Sequence, residues 1–199
     1  MTEPAPDDDE LVSRYLAGDA GAFSTLMQRH QNRVYSVCLR VLGNREDAAD
    51  AVQDAFLSAL RKLDQFRGDS LFTTWMYRVS VNACYDILRK KRRQPMLHLA
   101  EDPDGPAREE GPPVADHADE VSGTHDAAAA LALVPEEFRI TLVLADVQDM
   151  AYEEIARVLD IPIGTVKSRV HRGRIALARA MGIDPREPPR GRRPSEGSA

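Results

Sequence analysis

The sequence predicts an all-α protein: two small helical domains joined by a flexible acidic linker. Helix formers dominate, aromatic residues make up only 6% of the chain, and no alternating run of β-branched residues is long enough to build a sheet. Apolar residues recur instead at helical spacing, in two blocks. Between the blocks the chain is rich in Pro and Gly and has no apolar stripe, and Glu101 to Asp126 hold nine acids against one base, Arg108. At 199 residues each domain has a modest core. The expected boundaries are a disordered 1–7, a first domain 8–94, a linker 95–125, a second domain 126–183 and a disordered tail 184–199.

Four helices are predicted in the first block. A short one near Glu10 to Ala17 places Leu11, Val12, Tyr15 and Leu16 on one face. The second, from about Gly21 to Leu42, carries a stripe of Phe23, Leu26, Met27, His30, Val34, Val37, Cys38 and Val41, and Gly43 ends it. Asn44 caps the third, with Asp47 at the position that closes the cap. Its inner face is Ala48, Ala51, Val52, Ala55, Phe56, Ala59, Leu60 and Leu63; its outer face is polar. The break Phe66-Arg67-Gly68-Asp69-Ser70 precedes a fourth helix from about Leu71 to Arg92, rich in aromatics at its start. Trp75 there suits core packing and a functional surface equally. The helix ends in five consecutive cations, Arg89 to Arg93.

In the second block Asp126 caps a helix over AAAALALV, and Pro135 opens another over EEFRITLVLADV. Tyr152 to Arg174 then set a short amphipathic helix, a tight turn and a basic helix in the order of a DNA-reading helix-turn-helix. Ile155, Ala156, Leu159, Ile161, Val166 and Val170 fall where two crossing helices touch, with small Ala156 at the expected closest approach. Asp160 stands where the turn prefers a left-handed Gly, a conformation Asp tolerates better than most residues. Ala151 stands where a Ser or Thr cap would pair with Glu154, which weakens this helix start by about 1 kcal/mol.

Charge is segregated along the chain, so its net −6 does not argue against a nucleic-acid partner. Cys38 and Cys84 are the only cysteines and form no CxxC site; each lies in an apolar stretch, read as a buried free thiol with a redox sensor as the alternative. No leader pattern and no run of 18 apolar residues occurs, so a cytoplasmic chain without membrane insertion is expected. The five histidines have no ligand spacing, and there is no phosphate-binding Gly loop or nucleophile elbow; no cofactor, metal or enzymatic activity is expected.

Glu46 to Arg93 resemble conserved region 2, and VPEEFRITLVL with YEEIARVLDIPIGTVKSRVHRGR resembles region 4, of bacterial sigma-70-family factors of the extracytoplasmic function (ECF) group. The resemblance implies a transcription initiation factor that binds core RNA polymerase through its clamp helices and flap, recognises −35 and −10 promoter elements and starts strand opening in a stress or envelope response. It is expected to be monomeric when free and to be restrained by an anti-sigma factor. Asp50, Gln53 and Asp54 share the polar face of the third helix and become the clamp-helix docking surface by that analogy. Phe72, Trp75, Arg78 and Asn82, with the loop before them, become the pocket for a flipped −10 base, and Arg89, Lys90, Lys91, Arg92 and Arg93 the phosphate track.

On the second helix of the helix-turn-helix, Gly164, Thr165, Lys167, Ser168, Arg169, His171 and Arg172 fall on the end that enters the major groove. The amide-rich start and Thr165 suit phosphate, and Lys167, Arg169 and Arg172 suit base edges of the −35 element. His171 suits packing or a phosphate contact better than base reading. The resemblance sets the acidic linker near the RNA exit path, where its carboxylates would mimic nucleic acid. The competing class is a stand-alone helix-turn-helix regulator, but no heptad or long exposed stripe suggests the dimer such proteins use.

Overall fold

The computed structural model describes residues 5–101 and 122–184, with side chains at 94–101 and 122–126 left out of account. Most of the expected linker, the first four residues and nearly all of the tail therefore lie outside the described residues. Among the described residues there are eight α-helices and no strand: α1 (Asp8–Leu16), α2 (Ala20–Leu42), α3 (Arg45–Lys62), α4 (Phe72–Glu101), α5 (Ser122–Ala132), α6 (Glu136–Leu142), α7 (Tyr152–Leu159) and α8 (Ile163–Ala180).

Local chemistry sets most boundaries. Asp7 accepts the Glu10 amide to cap α1, and Asp19 does the same for Gly21 at the start of α2. The stretch expected to be disordered is thus engaged by its end: the Pro6 carbonyl accepts from Arg29, and Asp7 is a cap. Gly43 ends α2 in the left-handed region at φ 80° and donates to the Leu39 carbonyl. Asn44 Oδ1 accepts from the Asp47 amide at 2.8 Å, as its position predicts.

Two boundaries differ from expectation. Helix α4 continues past Arg92 through Pro95 to Glu101, where Met96, Leu97, Leu99 and Ala100 are good helix formers. Helix α5 begins at Ser122, so Asp126 lies inside it and does not cap it. Helix α6 also runs directly into a π-helical turn, Val143–Val147, closed by the Gln148 amide on the Val143 carbonyl at 3.1 Å.

α2, α3 and α4 pack into a bundle with α1 latched across α2, and α6, α7 and α8 form a second cluster. Asp8 makes the latch, accepting from Arg29 at 2.5 Å and lying 2.8 Å from His30 Nε2. In the second cluster α6 and α8 cross at Gly173, where a Cβ would sit 3.2 Å from the Phe138 carbonyl oxygen. This α6–α8 approach at Gly173 is one the sequence did not reveal.

The two clusters are not independent bodies. One buried apolar cluster extends from Leu11 in α1 to Val170 in α8, with α7 packed on α4 and α5 on α2. The two domains therefore pack on each other. Helices with apolar residues beyond one stripe bury the excess against each other, each fully buried Leu, Ile or Phe contributing about 1.5–3 kcal/mol.

Candidate nucleic-acid and polymerase interfaces

On α3 the buried Ala51, Ala55 and Ala59 set the inward face, and Asp50, Gln53 and Asp54 project from the exposed one, as their i, i+3, i+4 spacing predicts. Beside Gln53 lies a feature the sequence did not reveal: an apolar groove of about 500 Å³ between α2 and α3, whose lining includes Met27, Tyr35, Val52, Leu57 and Leu60. Met27 and Leu60, assigned to the core by periodicity, are instead 37% and 38% exposed at its rim. They sit at the margins of their stripes, where two helices diverge.

A second cleft, of about 640 Å³, opens at the start of α4. Phe72 is its foundation: it is 2% exposed, packed 5.2 Å from the His30 ring, and so supports the cleft without reaching its surface. Phe66 and Trp75 lie over it, with ring centroids 5.7 and 5.6 Å from Phe72 and 5.5 Å from each other. Trp75 is half-buried against Phe66 and Phe72 and also lines the cleft. Arg78 and Asn82, one and two turns further along α4, line the same space. So do Lys62, Arg67 and Arg157, and none of these four cations makes an ion pair with a described residue. Aromatic faces beside uncompensated cations and an amide suit a single-stranded base with its phosphates.

The five-cation run does not line this cleft. Arg89 pairs with Asp86 at 2.8 Å, Lys91 with Asp47 and Arg92 with Glu136, while Lys90 and Arg93 are exposed without an ion pair among the described residues. The run is partly neutralised in place, which is how five adjacent like charges are tolerated.

In the helix-turn-helix, Asp160 adopts φ 54° and ψ 48°, the left-handed turn its position predicts, and Ala151 makes no side-chain cap. Pro162 starts α8, its carbonyl accepting from the Thr165 and Val166 amides. Val166 and Val170 are buried against the domain, which leaves Gly164, Lys167, Ser168, His171 and Arg172 exposed on the outer side and Thr165 half-buried. His171 is exposed, so packing is not its role. Arg172 lies over the Phe138 ring, 6.0 Å from its centroid. Arg169 faces away from this surface and donates to Glu137 at 3.0 Å. Arg174 is gripped by Asp146 through Nε at 3.0 Å and a terminal nitrogen at 2.6 Å, a hydrogen-bonded pairing that raises its already high pKa.

One further group escaped sequence reasoning. Arg139 is buried, donates to the Ala132 carbonyl at 2.7 Å and leaves Nε unpartnered; burial pushes its pKa down. Tyr77, one of the aromatics at the start of α4, is buried as core, and its hydroxyl donates to Gln148 of the second cluster at 2.6 Å.

Residues 26–94 match the family Sigma-70 region 2, and residues 125–177 match Sigma-70, region 4. The chain belongs to the sigma-70 family. Within that family it is similar to the ECF RNA polymerase sigma factor SigM of Mycobacterium tuberculosis, 38% identical over 175 residues that cover 88% of this chain and 85% of the relative. It is 35% identical over 180 residues to the ECF RNA polymerase sigma-E factor of Escherichia coli, covering 85% and 92% of the two chains. Among solved structures it resembles the sigma factor RpoE of Bartonella quintana, in complex with the anti-sigma factor NepR. That match has a TM-score of 0.65 and 25% identity over 81% of this chain and 98% of the other. In this sigma factor the exposed α3 face and the Lys62 to Asn82 side of the aromatic cleft fall within the region 2 match, and the helix-turn-helix falls within the region 4 match.

Proposed function

We propose that the chain directs core RNA polymerase to a set of promoters, reading a −35 element with α8 and opening the −10 element at the α4 cleft. The observation that carries this reading is the cleft: Phe66 and Trp75 beside the unpaired cations Lys62, Arg67 and Arg78 and the amide of Asn82, in the region 2 segment of a chain that also holds a region 4 helix-turn-helix. A base taken out of the duplex stack needs a replacement stack, and aromatic side chains supply about 1–3 kcal/mol per base. Asn82 offers a donor and an acceptor to the base edge, and Arg78, Lys62 and Arg67 hold the flanking phosphates.

Asp50, Gln53 and Asp54 dock the clamp helices, with the apolar groove beside Gln53 supplying buried area that three polar residues cannot. Gly164, Thr165, Lys167, Ser168, His171 and Arg172 meet the −35 duplex, and Arg169 joins them on release from Glu137. The chain itself catalyses nothing: bond formation belongs to the polymerase, which sets its place in the cytoplasm. An anti-sigma factor completes the partner set.

Run-off transcription from pooled genomic promoter fragments tests this. Core polymerase with the added chain yields new transcripts; no stimulation, together with sequence-specific duplex binding by the chain alone, would instead make it a stand-alone regulator.

A further inference from the structure

The aromatic wall that would stack a −10 base rests on a histidine. His30 on α2 is 2% exposed, and its ring centroid lies 5.2 Å from that of Phe72, on which Phe66 and Trp75 both pack. Four rings in contact therefore run from the interior of the first domain to the cleft. Phe66 meets Phe72 edge-on, with an interplanar angle of 82°, so the way Phe72 is turned decides where Phe66 sits. His30, Asp8 and Arg29 line neither the cleft nor the α2–α3 groove, so none of them touches a bound base directly.

A polar ring in this place has a cost that an apolar one avoids. His30 Nε2 lies 2.8 Å from Asp8 Oδ2, and Nδ1 is buried with no hydrogen-bond partner among the described residues. A carboxylate only accepts, so in the neutral ring Nε2 carries the proton and Nδ1 presents a bare lone pair. Leu or Phe would fill the space without burying that lone pair. What the imidazole adds is direction, because its bond to Asp8 fixes the plane of the ring against Phe72. Asp8 is itself held: Arg29 donates to its other oxygen at 2.5 Å and to the Pro6 carbonyl at 2.7 Å, which clamps the start of α1 to α2. Helix α1 also packs on the single 3-10 turn Leu63–Gln65, whose Leu63 carbonyl accepts from the Phe66 amide at 3.1 Å. The first helix of the chain thus reaches the cleft wall by two routes, through His30 and Phe72 and through the turn that delivers Phe66.

We propose that Asp8 and His30 are positioning residues for the −10 site: the Asp8 bond turns the His30 ring so that Phe72 is seated, and Phe72 holds Phe66 and Trp75 in place to stack a flipped base. The proposal rests on the cleft being that site. A stacking platform that is already rigid loses little freedom when the base arrives, so its order is converted into affinity. Breaking the Asp8–His30 bond leaves every cation and the Asn82 amide of the cleft unchanged and loosens only the rings.

The test measures binding of a fluorescein-labelled single strand, carrying the non-template −10 segment of a promoter the chain activates, to holoenzyme made from core polymerase and the full chain. Asp8→Ala removes the acceptor, Asp8→Asn keeps one for His30 while giving up Arg29, and His30→Phe keeps a ring without the donor. Asp8→Ala and His30→Phe are expected to bind the strand about fivefold more weakly and Asp8→Asn within about twofold of wild type, all three with unchanged association with core. In the free chain, emission from Trp75, the one tryptophan, moves to longer wavelength in the two weak binders and not in Asp8→Asn, a signature that lost stability alone does not give. Should Asp8→Ala fail to fold, His30→Phe reads the same two signals. Wild-type strand affinity and emission in the folded variants, with Trp75→Ala still weakening the strand, would overturn the proposal and leave the −10 reading standing. Equal weakening by Asp8→Asn and Asp8→Ala would overturn it too, by assigning the effect to charge. Strand binding indifferent to both Trp75→Ala and Asn82→Ala would remove the −10 reading and the proposal with it.

Discussion

Tyr77 and Gln148 are 71 positions apart in the chain, yet the Tyr77 hydroxyl lies 2.6 Å from the Gln148 side-chain oxygen and donates to it. The π-helical turn Val143–Val147 ends at Gln148, so an irregularity inside the second domain delivers the acceptor to the first. Burial raises the Tyr77 pKa, with Arg33 acting in the opposite direction, so the phenol stays a donor at neutral pH. Tyr77→Phe removes the donor and keeps the ring; it is expected to lower stability by about 1 kcal/mol in urea unfolding.

The crossing of α6 and α8 depends on Gly173. A Cβ there would stand 3.2 Å from the Phe138 carbonyl and 3.5 Å from Leu142 Cβ, so Gly173→Val must push the helices apart and cost about 1–3 kcal/mol. A lower melting temperature with a proportionate loss of −35 duplex binding is the expected readout.

Asp160 carries a left-handed strain that Gly would not. Asp160→Gly is expected to stabilise the chain by about 1 kcal/mol and Asp160→Val to destabilise it by at least as much, as measured by chemical unfolding.

His30 gives the stability a pH dependence. Burial holds its pKa below the usual histidine value, opposed by Asp8, with Arg29 and Arg33 adding to the lowering. The unfolded chain therefore takes up the proton first: the contribution is present above about pH 6.5, the ordinary histidine pKa, and declines as pH falls below it. His30→Gln should flatten that decline; an equally steep one would assign it to other groups.

The two cysteines are predicted to be silent in the native state. Both are fully buried, and the Cys84 thiol is pushed up by its hydrogen bond to Cys38 and then by burial, so it forms no thiolate at neutral pH. Native protein should leave an aromatic disulfide reagent unreacted, and denatured protein should release two equivalents.

What was legible in the sequence is what neighbours in the chain decide. Asn44 reads as a cap because its partner Asp47 is three residues away, and Asp160 reads as a left-handed turn from its place between two short helices. The outward face of Asp50, Gln53 and Asp54 follows from spacing alone. What was hidden depends on residues far apart in sequence. Nothing near Tyr77 announces Gln148, and nothing in Arg89 to Arg93 announces that Asp47 and Glu136 hold two of its charges. Phe72 illustrates the limit within one motif: it shares the aromatic opening of α4 with Trp75, yet only packing against His30 puts it beneath the cleft.

The most direct measurement separates the two surfaces of the first domain in one holoenzyme assay. The account predicts that Asp50→Arg with Asp54→Arg abolishes association with core polymerase, while Asn82→Ala still associates but fails to open promoters, as permanganate reactivity of the −10 strand would report. Normal association and normal opening by both variants would contradict it.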